Sequence, residues 1–309
     1  MIVAARIEDL GFAQGRPVVA TIGNFDGVHL GHQAIMHRVV ERARAAGALA
    51  TVVTFDPHPR RVLDPDRAPR VMLTRGQKLA ILESLGLDAV AVIPFDKALA
   101  AMPAEEFARE FLCRRLGVSE IHVGADFRFG RGRAGGLEIL GAVGAGCGFG
   151  VHAVPAVMLD GERISTTRVR RALADGQVEA ASQMMGRPYS LIGTIVHGEG
   201  RGGAVLVPTA NLAPENDFLP ARGVYITRTR RAAHDTVPGL TNIGLRPTFG
   251  DHRLVVETFL PGFSGDLYGE RIELELVRRL REERKFDSPQ DLMAQIKRDL
   301  EQFEAWRRA

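Results

Sequence analysis

The stretch Ile22-Gly-Asn-Phe-Asp-Gly-Val-His-Leu-Gly-His32 places three glycines and two histidines at what reads as a strand-to-helix junction. A helix start leaves backbone N–H groups unpaired and carries the positive end of the helix dipole, so it attracts anions. Glycines let the backbone approach such a ligand closely. His29 and His32 flank Gly31 three positions apart, so both imidazoles can reach one phosphate group; Gly23 and Asn24 belong to the same cradle. A second anion element is Ser165-Thr-Thr-Arg-Val-Arg170, in which the hydroxyls of Ser165, Thr166 and Thr167 precede Arg170 by about one helical turn. Its guanidinium offers a bidentate donor, although the hydroxyls also fit a plain helix cap. Further along, Glu257 is the only acid in the apolar run Leu254-Val-Val-Glu-Thr-Phe-Leu260. It is a candidate proton acceptor or a strand residue facing solvent.

These residues need elements to hold them. Pro17–Ile22 reads as a buried strand, and His32–Ala46 as a helix stopped by Gly47. Strand-like runs follow at Ala48–Phe55, Leu87–Phe95, Glu120–Gly124 and Phe149–Met158, with helices at Thr74–Leu85 and Pro103–Leu116 between them. Thr74 and Gln77 have capping-box spacing. Alternation of this kind predicts a doubly wound parallel sheet, whose ligands bind beyond the carboxyl ends of the strands. The run Thr167–Ser182 reads as a helical passage, and near Gly186-Arg-Pro-Tyr189 the pattern changes to strands at Tyr189–His197, Gly223–Thr229, Leu254–Leu260 and Arg271–Val277. The last of these alternates apolar and charged residues, as a half-buried antiparallel strand does. Ser288-Pro289 opens a final helix with the stripe Leu292, Ile296, Leu300 and Phe303.

At 309 residues the chain is long enough for two domains, expected at 1–185 and 186–309. Its 45% hydrophobic and 25% charged residues are ordinary for a globular protein. No apolar run reaches the roughly 20 residues of a membrane span. The N-terminus lacks the basic-then-apolar order of a signal peptide, so a cytoplasmic protein is expected. Cys113 and Cys147 are too few for a disulfide framework and lack zinc-site spacing. A net charge of +3 suits anionic small molecules, and 6% aromatic residues with one tryptophan argue against a stacking surface for nucleic acid. A homo-oligomer stays open.

The string G-N-F-D-G-V-H-L-G-H resembles the signature of the nucleotidyltransferase module of prokaryotic bifunctional riboflavin kinase/FAD synthetases. Thr54-Phe-Asp-Pro-His-Pro-Arg60, Val123-Gly-Ala-Asp-Phe-Arg-Phe-Gly130, Ile164-Ser-Thr-Thr-Arg-Val-Arg170, Pro208-Thr-Ala-Asn211 and Asn242-Ile-Gly-Leu-Arg-Pro-Thr-Phe249 follow in that family's order. The resemblance implies an FMN adenylyltransferase domain, then a small antiparallel β-barrel riboflavin kinase closed by the C-terminal helix. It implies riboflavin, FMN and ATP as substrates, with Mg²⁺ at both sites.

Residue by residue, the resemblance implies that His29 and His32 stabilise the phosphates in transit and that Arg170 holds departing pyrophosphate. Asp126 then belongs to the surroundings of adenine and ribose, and Phe55 with Pro57 and Pro59 to a flavin wall. In the second half, Glu257 takes the place of the catalytic glutamate, while Thr209 and Asn211 hold magnesium and nucleotide phosphate. One segment departs from the pattern: Arg201-Gly-Gly-Ala-Val-Leu-Val207 has Gly203 where the family carries arginine and Leu206 where it carries glycine. Leucine resists positive φ and fills space beside a phosphate. That leaves open an alternative in which the second domain is an impaired kinase or only binds flavin.

Overall fold

The structure is a computed structural model that describes residues 1–4, 15–197, 209–231, 236–248 and 251–308, without the side chains of 246–248 and 251–253. The altered segment Gly203 to Val207 lies outside the described residues. The chain divides into two compact units, Met1–Ser165 and Thr166–Ala309.

The first unit is a six-stranded parallel sheet. Its strands are β1 (Ile2–Ala4), β2 (Val18–Ile22), β3 (Leu49–Asp56), β4 (Ala89–Pro94), β5 (Val118–Gly124) and β6 (Gly150–Val154), in the spatial order β1-β4-β3-β2-β5-β6. Between them run α1 (Leu30–Ala46), α2 (Pro59–Leu63), α3 (Arg75–Ser84), α4 (Lys97–Ala101), α5 (Ala104–Phe107, continued as a π-helix over Ala108–Arg115) and α6 (Leu137–Cys147). Neighbouring residues of one strand feed opposite cores, which is why β2 is buried along its whole length. Val18, Ala20 and Ile22 pack with Leu112 and Leu140 on one face. Val19 packs with Met36, Val39 and Leu82 on the other.

Both expected caps are present. Gly47 closes α1 at φ 60, and Thr74 and Gln77 complete a capping box on α3. The expected strand Phe149–Met158 ends at Val154; Met158–Leu159 (β7) instead pairs with Glu162–Arg163 (β8) in a small hairpin. The expected helical passage is two helices, α7 (Thr166–Ala174) and α8 (Val178–Met185), separated at Gly176, which sits at φ 77.

The second unit is a closed antiparallel barrel, ordered β10-β13-β12-β11-β14-β9. It comprises β9 (Tyr189–Val196), β10 (Thr209–Pro214), β11 (Gly223–Arg230), β12 (Thr236–Thr248), β13 (Asp251–Phe259) and β14 (Arg271–Glu282). The helix α9 (Pro289–Arg308) packs its Phe303 against Val224, Ile226 and Leu240 on the outer face. Ser288 caps it, accepting from the Asp291 N–H at 3.1 Å. Inside, the hydroxyls of Thr227 and Thr241 lie 2.8 Å apart, and Thr241 lies 3.0 Å from that of Thr258. Among the described residues no helix is long and apolar enough to cross a membrane.

Candidate active sites

The loop leaving β2 is held in an uncommon backbone shape. Phe25, Gly27 and Val28 have φ of 49, 78 and 39. Positive φ is an outlier for a β-branched residue, so the surroundings must over-determine it. Phe25 and Val28 are buried, and the buried Asp26 carboxylate accepts the Met72 N–H at 2.9 Å. The ammonium of Lys78 donates to the Asn24 carbonyl at 2.9 Å. Gly23 has to be glycine, because a Cβ there would stand 2.9 Å from the Phe25 ring.

His29 is the N-cap of α1, and its Nδ1 accepts the His32 N–H at 3.3 Å. In a neutral ring that places the proton on Nε2, which is left as a donor. The two imidazoles stack with centroids 3.6 Å apart, and Phe25 meets His32 edge-on at 5.1 Å. Burial first, then His29 and Lys78, push the His32 pKa well below its usual range. His32 is thus held as a neutral ring at the helix start, stacked on the His29 cap. A Cβ on Gly31 would crowd the His29 ring at 3.1 Å, so glycine leaves that ring room in its capping position.

Beside this loop opens a cavity of about 110 Å³ whose walls include Asn24, Thr54, Phe55, Arg61, Arg75 and Lys78. The expected flavin-wall residue Phe55 lies here, against Phe95 at 5.6 Å; the two histidines do not line it. Asp126 is exposed just beyond β5 and pairs with Arg163 of β8 at 2.5 Å. Ser165 ends the first unit, while Thr166, Thr167 and Arg170 lie on α7 in the second. Lys78 and Arg163 are cations that sequence reading passed over. Lys78 finds its partner 54 residues upstream, which no local pattern signals.

On the barrel, strand register assembles the second site. Glu257 of β13 faces Asn211 of β10 on one side and Asn242 of β12 on the other, so amide, carboxylate and amide form a row across three strands. Thr209, two residues before Asn211, shares that face and pairs with Phe259. A cavity of about 300 Å³ between this outer face and α9 is lined by Thr209, Asn242, Glu257, Phe259, Leu292 and Ile296. Its far wall is a half-buried ion pair: Arg281 donates to both oxygens of Asp299, at 3.1 and 2.8 Å, and Gln295 donates to the same carboxylate at 2.7 Å. Asn242 was part of a quoted motif without a role, and the register shows its place beside Glu257.

The first unit thus offers stacked imidazoles and cations around a helix start, and the second a carboxylate set among amides. Comparison with known proteins agrees with that division. The FAD synthetase family model matches residues 12–168, and the riboflavin kinase family model matches residues 185–307. A bifunctional riboflavin kinase/FMN adenylyltransferase from Escherichia coli K12 is 37% identical over 95% of this chain and 94% of that protein. One from Pseudomonas fluorescens is 40% identical over 92% and 91%. A solved structure described as a macrolide-efflux protein from Streptococcus pneumoniae superposes with a TM-score of 0.89 over 99% of both chains, at 28% identity. With both family models matched in order and curated relatives aligned over nearly the whole length, the chain belongs to the bifunctional riboflavin kinase/FMN adenylyltransferases.

Proposed function

We propose that the chain carries out both reactions of its family, with residues 186–309 phosphorylating riboflavin and residues 1–185 adenylylating the product. In the first reaction a ribityl hydroxyl attacks the γ-phosphorus of ATP, giving FMN and ADP. In the second an FMN phosphate oxygen attacks the α-phosphorus of another ATP, and the bond to pyrophosphate breaks. The row Asn211–Glu257–Asn242 carries this reading, because adenylyl transfer alone has no use for it.

A hydroxyl is a poor nucleophile, so its proton needs an acceptor; Glu257 takes that role, with Asn211 and Asn242 orienting carboxylate and hydroxyl. An FMN phosphate is already an anion, so the first unit needs no base. There His29 and His32 donate to phosphate oxygens and offset the charge that builds up in the transition state. Arg170, with the hydroxyls of Ser165, Thr166 and Thr167, takes the departing pyrophosphate. Asp126 addresses the ribose and adenine side, Gly23, Asn24 and Gly31 shape the phosphate loop, and Phe55 flanks the flavin.

Thr209 and Asn211 lie on the face of β10 that adjoins Glu257 of β13, and they offer the hard oxygen donors that Mg²⁺ prefers. They would hold the ion, which when bound draws charge from the transferring phosphate. The reading takes free nucleotides and flavins as the partners, without nucleic acid or membrane, in the cytoplasm.

Chromatographic analysis of products from riboflavin, ATP and Mg²⁺ tests it. FMN followed by FAD is expected. Conversion of supplied FMN to FAD without any phosphorylation of riboflavin would instead make the second unit a flavin binder, with Leu206 the first suspect.

A further inference from the structure

Away from both sites, three ligand-type side chains converge at the edge of the parallel sheet. Glu120 and His122 sit two apart on β5 and so share a face, and His152 of the edge strand β6 is in register with His122. Glu120 Oε2 lies 3.2 Å from His122 Nε2 and 3.7 Å from His152 Nε2, and the ligand atoms of all three fall within 4.8 Å of one another. Around a tetrahedral dication with metal–nitrogen bonds of about 2.0 to 2.1 Å, ligand atoms stand roughly 3.3 Å apart. The two imidazole rings stack at 4.7 Å, so a modest turn of the half-exposed His152 ring brings its nitrogen to the same point.

From this geometry we infer that Glu120, His122 and His152 form a binding site for a zinc-class transition-metal dication that fastens the edge strand β6 to β5. Two features of the geometry support it. Arg42 grips the same carboxylate through Oε1 at 2.7 Å and Oε2 at 3.0 Å, which aims the carboxylate while Oε2 faces the histidines. The neighbour at position 150 is glycine, and a Cβ there would come within 3.0 Å of His152 Nε2 and 3.8 Å of Glu120 Cγ. A larger residue would close the space that lets His152 lean back over the carboxylate.

The choice of ion follows from the donors. Imidazole selects zinc, cobalt, nickel or copper over magnesium, so this site does not compete for the magnesium that ATP brings. A solvent-side cleft of about 670 Å³ reaches His122 and His152 past Arg38 and Glu41 of α1, leaving room for water as a fourth ligand. Arg38 and Glu41 pair with each other at 2.7 Å, so Arg38 does not stand as an unpaired cation beside the site.

Cobalt alone, titrated into the full chain without nucleotide or flavin, tests the assignment. The expected result is stoichiometric appearance of the visible absorption of a four-coordinate cobalt site, reversed by zinc and untouched by excess magnesium. His152→Ala should abolish it and Glu120→Gln weaken cobalt binding at least about tenfold. Zinc should raise the unfolding temperature of the wild type and not of His152→Ala, whose FAD formation from FMN stays at the wild-type level. Cobalt bands that survive His152→Ala, bands lost only when His29 is replaced, or a wild type that binds no cobalt would each overturn the inference.

Discussion

The two candidate sites manage charge in opposite ways. Around α1, two stacked imidazoles, that of His32 held neutral, stand near the Lys78 ammonium, with Asp26 turned to the Met72 backbone. On the barrel the central group is a carboxylate, Glu257, between two uncharged amides. The difference matches the nucleophiles of the proposed reactions: an anionic phosphate needs company for its charge, and a hydroxyl needs somewhere to send a proton.

The sharpest way to break this contrast is Glu257→Gln, which keeps shape and hydrogen bonding but removes the acceptor. Riboflavin phosphorylation should fall by about 10² to 10⁴, with FAD formation from FMN unchanged, in separate steady-state assays. Full kinase turnover would move the base elsewhere. His32→Ala should do the reverse, lowering adenylyl transfer by about 10² to 10³ while the kinase persists. Equal loss of both activities in a folded variant would end the two-site picture.

A smaller effect sharpens the comparison within the first unit. Lys78→Met removes the cation that clamps the Asn24 carbonyl, and loss of a charged hydrogen bond worth about 1.5 to 3 kcal/mol should cost about ten- to hundredfold in kcat/KM for FAD formation. The kinase rate should not move.

The smallest expected effect concerns pH. In the folded chain His32 resists protonation, whereas in the unfolded chain it takes a proton below about pH 6.5. Its contribution to stability is thus complete above that pH and is lost as the pH falls toward the lowered folded value, with a slope of at most about 1.4 kcal/mol per unit. Melting temperatures of wild type and His32→Gln between pH 7.5 and about 5 should converge as the pH falls; parallel curves would mean that His32 is not held neutral.

Much of this was legible in the chain itself. The parallel sheet, the caps at Gly47 and Thr74 and the closing helix follow from periodicity and turn chemistry. The helix α6 escaped notice because Gly141, Gly144 and Gly146 break its pattern. Gly144 is there for packing, since a Cβ would come within 2.6 Å of the Phe149 carbonyl. Strand β12 was hidden by Pro238, Gly239, Gly244 and Pro247, residues that ordinarily mark turns. In the sites, residues of one loop or motif could be found locally. Lys78, Arg163 and Asn242 could not, because their meaning lies in partners that only the fold brings near.

The threonines inside the barrel set a condition on everything outside it. Thr241 and Thr258 are opposite one another, and the next pair along is Asn242 and Glu257, facing the other way. If either strand slid by a single residue, its own member of that pair, the carboxylate or the amide, would be swept into the apolar interior and its hydroxyl stranded on the surface. The relay from Thr227 through Thr241 to Thr258 therefore works as a vernier: it makes only one alignment of three strands comfortable, and that alignment is the one that keeps Asn242 and Glu257 together on the outer face.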